Sequence, residues 1–224
     1  MKLKTLLLTL LLSTSLIGVS YADLTESTNS KYKNAFDAIN NTDPKSAFKE
    51  FKSLAEQGDA FSQSMIASMY NDGIGTLKDD KKSLKWFLKA ANQDYSQAQY
   101  SIGSKYERGE GVLKDDKKAV KWFLKAASQN HPKAQHKLGL AYEKGIGVPK
   151  DDKKAVQWFL KAANQGLSDA QGFLGVRYAY GIGVLKDLIK AKYWIKKAYE
   201  NPNINNSAKD IMKNVWDTLE LWKY

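Results

Sequence analysis

The sequence contains no cysteine, and only two histidines and four prolines occur among its 224 residues. Without cysteine, the chain cannot use the disulfides that stabilise many small exported domains, nor carry a lipid on a cysteine behind a signal peptide. His131 and His136 lie five residues apart, which is not a familiar metal-ligand spacing. We therefore predict no metal and no cofactor. We expect both histidines at the surface, with His136 facing a groove.

Long apolar runs are equally scarce. The longest follows Lys2 and Lys4, extends from residue 5 to 19, and ends in a small-x-small site at residues 20–22. This pattern is typical of a secretory signal peptide cleaved after Ala22, and the run is shorter than the roughly 20 residues of a spanning helix. A membrane anchor is the alternative. We expect a mature form without a transmembrane segment, located in the periplasm or secreted.

Acidic residues are outnumbered by basic ones, with 24 Asp and Glu against 35 Lys and Arg, a formal charge of +11. Without the two lysines of the signal, the count is 33 against 24, which leaves +9. A basic balance favours an acidic partner such as anionic lipid, an acidic protein surface or nucleic acid. Because export separates the protein from nucleic acid, we predict no nucleic-acid partner.

A block of 36 residues recurs through most of the chain. Aromatic positions return at this step, at Trp86, Trp122, Trp158 and Trp194 and at Tyr70, Tyr106, Tyr142 and Tyr178. Paired glycines do the same, from Gly73 and Gly75 to Gly181 and Gly183. A period between about 20 and 50 residues indicates a solenoid of stacked supersecondary units, which commonly presents an extended surface to a partner.

Each block reads as two helices joined by a glycine turn. In residues 96–131, apolar residues at helical spacing predict a first helix that ends before Gly109, a position suited to the left-handed conformation. Asp115 is a favourable N-cap for a second helix from about residue 116 to 129. On that helix, we expect Trp122 and Phe123 to fill the space between helices.

The pattern extends beyond the full repeats at both ends. Residues 44–57 predict a helix equivalent to the second helix of a block, with Pro44 at its first position. Residues 30–40 predict its partner, equivalent to a first helix. At the other end, residues 207–223 predict a capping helix that begins near Ser207; a docking helix for a partner is the alternative. Its expected apolar stripe consists of Ala208, Ile211, Val215, Leu219 and Trp222.

These residues resemble the Sel-one-like repeat family, a relative of the tetratricopeptide repeat. One repeat carries the whole family pattern, at Ala134, Leu138, Gly139, Tyr142, Gly145, Gly147, Val148, Asp151, Lys154, Ala155, Trp158, Lys161, Ala162 and Ala163. The resemblance implies an all-α, right-handed superhelix of helix hairpins whose first helices line the concave side. It also implies bacterial exported adaptors, host-interaction factors, envelope-assembly proteins and immunity proteins as uses.

The resulting division of the chain has a signal peptide, an irregular first repeat, four full repeats and a cap. The boundaries are 1–22, 23–59, 60–95, 96–131, 132–167, 168–200 and 201–224. By analogy with tetratricopeptide repeats, the predicted partner-binding residues on the concave face are Ser64, Ser68, Asn71, Tyr100, Ser104, Glu107, Arg108, His136, Leu140, Glu143, Lys144, Val176 and Tyr180. Gly172 belongs to the same row as Tyr100 and His136.

Lysines recur on the second helices at a spacing of four, which predicts a basic ridge opposite the aromatic residues. It is interpreted either as a solvated outer face or as a contact for anionic lipid headgroups. The ridge consists of Lys85, Lys89, Lys121, Lys125 and Lys161.

Signals of catalysis are weak. The Gly-x-Gly pairs follow helices and lack the third glycine of a dinucleotide fingerprint, so we interpret them as turns. Ser-x-x-Lys occurs at Ser30–Lys33 and Ser46–Lys49 without a following Lys-Thr-Gly. The family resemblance keeps a penicillin-binding hydrolase open as an alternative. The favoured function is a non-catalytic exported scaffold for a protein partner, such as a periplasmic immunity protein or an envelope or virulence adaptor; a binder of anionic envelope surfaces is the other alternative.

Overall fold

The computed structural model describes residues 29–204 and 206–224, and these residues form eleven α-helices, one short 3-10 helix and no β-strand. The predicted signal peptide lies outside them. The all-α fold class expected from the sequence is confirmed. In chain order the helices are α1 Asn29–Asn40, α2 Pro44–Glu56, α3 Ala60–Asp72, α4 Asp80–Ala91, α5 Ser96–Arg108, α6 Asp116–Ser128, α7 Pro132–Lys144, α8 Asp152–Asn164, α9 Ser168–Tyr180, α10 Leu188–Tyr199 and α11 Asn206–Thr218, followed by the 3-10 helix Leu221–Lys223.

The chain divides into two compact units at residues 114 and 115. In the first unit, α1 packs on α2, α2 on α3, α3 on α4 and α4 on α5. Phe51 and Ile66 are fully buried at the centre of its core, where Phe51 also meets Phe36 edge-on with ring centroids 5.9 Å apart. The first hairpin, α1 with α2, is therefore a packed part of this unit.

The second unit contains α6 to α11 and the 3-10 helix. Consecutive helices pack against one another, and the buried side chains of α8 and α9 include Phe159 and Leu174. The last hairpin and α11 share a further core that includes Ile195, Met212 and Leu221. Small residues such as Ala162 and Ala170 are fully buried where the helix axes approach each other.

Helix boundaries follow the predicted local chemistry. The carboxylate of Asp115 accepts the Lys118 backbone N–H at 2.9 Å, which supplies a partner for a free donor at the start of α6. Gly109 ends α5 with φ +72°, in the left-handed region. Asp43 likewise caps α2 by accepting from the Ser46 N–H at 3.1 Å. The aspartate caps and glycine stops predicted from the sequence are thus present.

Glutamines connect successive hairpins within each unit. The Gln63 amide donates to Ala55 O at 3.1 Å, while its Oε1 accepts from Gln93 Nε2 at 2.9 Å. In the second unit, Gln165 Nε2 donates to Gln135 Oε1 at 2.7 Å. The last such donor is Asn201, whose Nδ2 reaches Gln171 Oε1 at 3.2 Å. We call this set of side-chain bonds the amide relay.

The C-terminal helix differs in detail from its prediction. Met212 is its buried residue, whereas Ile211 and Trp222 are 54% and 52% exposed. Ala208, Val215 and Leu219 do pack against the core of the last hairpin. Within this stripe Met212 takes the buried place that was expected for Ile211, one residue earlier.

Candidate functional site

The predicted partner-binding serines of the first unit are mostly inside the protein. Ser64, Ser68 and Ser104 are only 3%, 8% and 5% exposed, and Ser68 Oγ donates to Ser64 O at 3.1 Å. Their first helices turn this face toward neighbouring helices. Placing these three serines on an open binding surface was therefore wrong.

Two predicted partner-binding residues of the first unit, Asn71 and Arg108, form hydrogen bonds with neighbouring polar side chains of the same unit. Asn71 Oδ1 accepts from Lys105 Nζ at 2.6 Å, and the Lys105 side chain is only 2% exposed. Arg108 forms two hydrogen bonds to Glu110, at 2.5 and 2.8 Å, which raise the pKa of Arg108 and lower that of Glu110. Asn71 and Arg108 thus both have partners within the unit, although the Arg108 side chain stays 51% exposed.

Two other predicted residues of the first unit, Tyr100 and Glu107, lie half-buried on α5. The positions of Ser68 and Ser104 correspond in the second unit to Leu140 and Val176, which are half-buried instead of buried. In this row of residues the second unit is therefore more accessible than the first.

His136 packs against two aromatic rings of the second unit, which corrects the expectation of an ordinary surface residue. Its ring centroid is 5.6 Å from that of Phe159 and 5.4 Å from that of Phe173, and the two phenylalanines stack at 5.2 Å. Burial lowers the pKa of His136, while Asp169 opposes that change. The histidine is therefore part of an aromatic cluster.

Arg177 is a residue that the sequence analysis missed. It is 7% exposed, forms an ion pair with Glu143, and has its guanidinium carbon 5.8 Å from the Phe173 ring centroid. Burial lowers its pKa. A signal was available in the sequence, because Lys105 holds the same position two repeats earlier. Glu143, predicted to meet a partner, instead holds this arginine.

An apolar cleft of about 270 Å³ opens beside Phe173 and Arg177, between α9 and α11. Gly172 and Val176, both in the predicted first-helix rows, line one wall. The opposite wall comes from the C-terminal helix and the segment before it, through Ile204, Ala208, Ile211 and Met212. The contribution of α11 could not be predicted from the repeat pattern, because it lies outside the repeats.

Two of the predicted partner-binding residues have exposed side chains at the C-terminal ends of first helices in the second unit. Tyr180 at the end of α9 is 52% exposed, and Lys144 occupies the same place on α7. With the cleft and Val176, they form what we call the first-helix surface of the second unit. Within the described residues, this surface combines exposed side chains with an apolar recess.

The predicted basic ridge is exposed, but it does not lie opposite the aromatic residues. Lys125 Nζ is 4.4 Å from the Trp122 ring centroid, and Lys161 Nζ has the same distance to Trp158. In the first unit, Lys89 Nζ is 4.1 Å from Trp86. A spacing of three residues puts each lysine on the same helix face as its tryptophan. Lys85 and Lys121 are exposed without such a ring contact.

Trp122 is consequently only half-buried, while Phe123 is 2% exposed. Between these two adjacent aromatics, Phe123 is the main core residue of α6. The expectation that both residues fill the space between helices holds for Phe123, whereas the half-buried Trp122 ring has the Lys125 ammonium 4.4 Å from its centroid.

His131 is the second histidine to depart from its expected surface position. It is 7% exposed and caps α7, where its Nδ1 accepts the Ala134 backbone N–H at 3.2 Å. Burial and nearby Lys133 lower its pKa to about 4. Among the residues that the structure describes, no group of three or more His, Cys, Asp or Glu side chains can hold a metal ion.

The two Ser-x-x-Lys pairs lie on exposed helix surfaces. Ser30 and Lys33 are exposed at the start of α1, where Lys33 Nζ pairs with Asp37 at 3.5 Å. Ser46 and Lys49 are exposed on α2. Neither pair lies in a recess of the kind that shields a nucleophile and its base from water.

A known repeat family matches most of the chain. The profile of the Sel1 repeat family matches residues 60–95, 96–131, 132–167 and 168–203. The chain is a Sel1 repeat protein. The resemblance that the sequence motifs indicated is confirmed. A search of curated proteins found no match.

Solved structures similar to this Sel1 repeat protein share its fold. A protective antigen of uropathogenic Escherichia coli with an SLR fold has 29% identity and a TM-score of 0.77, over 84% of this chain and 41% of that one. A Sel1 repeat protein from Oxalobacter formigenes has 38% identity and a TM-score of 0.71, over 77% of this chain and 50% of that one. The present chain thus spans half or less of the length of these two proteins.

A further Sel1 repeat structure, from Klebsiella pneumoniae, is 20% identical with a TM-score of 0.52, over 85% of this chain and 91% of that one. At this identity the likeness concerns the fold. Within the described residues of this Sel1 repeat protein, no helix is both long and apolar enough to cross a membrane.

Proposed function

We propose that this Sel1 repeat protein is an exported, non-catalytic scaffold that binds a protein partner on the first-helix surface of its second unit. The observation that carries the proposal is the apolar cleft between α9 and α11, whose lining residue Val176 lies about one helical turn before the exposed Tyr180. A periplasmic immunity protein and an envelope or virulence adaptor are concrete forms of this function. Export is supported by the signal-peptide pattern of residues 1–22.

The size and lining of the cleft favour an anchor side chain from a protein. Its volume of about 270 Å³ lies below the roughly 300–1,000 Å³ of typical small-molecule pockets. Its walls are almost entirely apolar. Apolar or aromatic anchors that fill such recesses carry much of the affinity of protein interfaces.

The residues around the cleft are already held in place before a partner binds. Arg177 is fixed by Glu143 and by the ring of Phe173, which itself stacks on Phe159. A rigid wall loses little conformational entropy on association, so more of the contact energy contributes to affinity. Tyr180, at the end of the same helix, adds an amphipathic ring of the type enriched at interfaces.

Site-specific photo-cross-linking in the producing cell tests this proposal. A benzophenone amino acid at Tyr180 should give a discrete adduct, whereas the same probe at Lys161 on α8 should not. Val176→Arg in the Tyr180 probe protein should remove the adduct, because the longer charged side chain occupies the cleft. Adducts formed only from Lys161, or adducts from Tyr180 that survive Val176→Arg, would place the partner on another surface.

The penicillin-binding hydrolase receives no comparable support, since both Ser-x-x-Lys pairs are solvent-exposed. We expect nitrocefin turnover by the purified protein to equal that of buffer. Hydrolysis that Ser30→Ala or Ser46→Ala abolishes would reverse the assignment as a scaffold.

A further inference from the structure

The second helix of the fourth repeat, α10, departs from the lysine pattern of the earlier repeats. The positions held by Lys81 and Lys85 in the first full repeat, and by Lys117 and Lys121 in the second, are Ile189 and Tyr193 here. Both are solvent-facing, with 69% and 51% of their surface exposed. Two charged surface positions have therefore become apolar without becoming buried.

The turn before α10 keeps an exposed leucine and loses a carboxylate. Leu185 at its tip is 91% exposed, and Leu77 and Leu113 hold the same position in the first two full repeats with 88% and 89% exposure. Leu188 stands where the three preceding full repeats have a second aspartate, at Asp80, Asp116 and Asp152. The fourth repeat thus sets two new exposed apolar residues, Ile189 and Tyr193, behind a leucine that earlier turns also expose. We call Leu185, Ile189 and Tyr193 the α10 outer patch.

The segment that carries the α10 outer patch is rich in lysine. Residues 185–200 contain five lysines and two acidic residues, a net charge of +3. Asp187 pairs with Lys190 at 3.2 Å, and Glu200 pairs with Lys196 at 3.8 Å. Lys197 instead lies 5.1 Å from the Tyr193 ring centroid. Among the described residues, neither Lys186 nor Lys197 has a carboxylate within 4.0 Å.

The inner side of α10 is already used by the core. Ala191, Trp194, Ile195 and Ala198 are buried against neighbouring helices, so the outer patch is a second, separate apolar feature of the same helix. Its three side chains do not line the cleft between α9 and α11, and they would supply only a small part of the roughly 20–30 residues that each side contributes to a stable protein interface.

We propose that the α10 outer patch docks on the surface of an anionic lipid bilayer. Leu185 and Ile189 would enter the boundary between headgroups and acyl chains, and Tyr193 would lie at headgroup level, where amphipathic rings are favoured. Lys186 and Lys197 can bury their alkyl chains beside the patch and direct their ammonium groups to anionic headgroups. Each such lysine strengthens partitioning by about fivefold.

This inference does not depend on the proposed partner-binding function. The cleft lies between α9 and α11, whereas the patch lies on the outer face of α10 and its preceding turn. A cleft variant such as Val176→Arg should leave lipid binding unchanged, so failure of either proposal can be recognised separately.

The test is vesicle flotation with the chain from Asp23, which contains every helix described above. Vesicles of phosphatidylcholine alone are compared with vesicles that also contain phosphatidylglycerol. We expect binding to the anionic vesicles only, and a decrease of binding with added salt because screening weakens the lysine contacts.

The decisive variant is the double change Ile189→Lys and Tyr193→Lys, which restores the residue type of the first two full repeats. It adds two positive charges but removes two apolar side chains, and we expect partitioning to fall at least about tenfold. Leu185→Ser, at the exposed turn, should also weaken binding. The matched control is Lys121→Ala with Lys125→Ala on α6, which should have a much smaller effect.

Three outcomes would overturn the proposal. Tighter binding by the double lysine variant would show general electrostatic attraction without a role for the patch. If the wild-type protein does not bind anionic vesicles, the bilayer is not the ligand of the α10 outer patch. A wild-type dimer in light scattering that becomes a monomer in the double variant would identify the patch as a contact between two copies. Circular dichroism of each variant checks that the helices are intact.

Discussion

Gly147 can be used to test how closely successive hairpins of the second unit must approach each other. Its φ is +73°, and a Cβ added there would lie 2.3 Å from Asp116 O and 3.0 Å from Val120 Cγ2. The first glycine of the same turn, Gly145, has φ +69°, but its nearest neighbours to such a Cβ are atoms of Lys150 at 3.4 Å. The two glycines thus share a backbone conformation and differ in available space.

The expected losses of unfolding free energy differ between Gly145→Ala and Gly147→Ala. An alanine in the left-handed region costs about 1–2 kcal/mol, which is the whole expected destabilisation for Gly145→Ala. At Gly147 the same cost is joined by a collision with the backbone of α6, which no side-chain rotation can relieve. Because overpacking typically costs about 1–3 kcal/mol more, we expect Gly147→Ala to lose about 2–5 kcal/mol of unfolding free energy.

Urea unfolding followed by circular dichroism measures both variants against the wild type. Gly166→Ala serves as a control, since φ is +84° there and nothing lies within 4 Å of the added Cβ. We expect it to match Gly145→Ala. Equal unfolding free energies for the variants at Gly145 and Gly147 would refute the idea that hairpin contact requires the second glycine.

Two further predictions concern the buried residues of the second unit. Phe123→Ala should cost about 3–5 kcal/mol, and Trp122→Ala clearly less, because only the phenylalanine is almost fully enclosed; equal urea midpoints would contradict this. His131 has a pKa of about 4 in the fold against an ordinary histidine value of 6.5, so the unfolded chain binds a proton first as pH falls. Stability should therefore be lost between pH 6.5 and 4, by on the order of 3 kcal/mol, and His131→Asn, which keeps a capping acceptor, should reduce this loss when unfolding is measured at both pH values.

The helices and their turns could be predicted because their signals are local. An aspartate before a lysine-rich segment begins a helix by bonding to an N–H three residues later, as Asp115 does. A glycine after an apolar stripe ends a helix through its own backbone conformation, as Gly109 does. The fixed period of 36 residues then repeats these signals in each block. This is why the family and the all-α class followed from the sequence.

The site was less predictable because it depends on side chains that meet across hairpins. Repeat spacing placed Ser64 and Ser104 on a presumed open face, but it carries no information on how deeply neighbouring helices cover that face. The burial of Arg177 depends on Glu143, 34 residues earlier. The wall supplied by Met212 comes from a helix outside the repeat pattern altogether.

The amide relay has a consequence for how such a protein can change in length. The glutamine near the start of a first helix donates to a carbonyl at the end of the preceding hairpin, and its own oxygen accepts from an amide 30 residues later. Gln135 shows both contacts, to Ala127 O and from Gln165. Insertion or loss of one complete 36-residue block within a unit would bring an identical donor to the same acceptor. A block of any other length would break this match, so duplication of whole repeats is the change that the packing accepts without a compensating substitution.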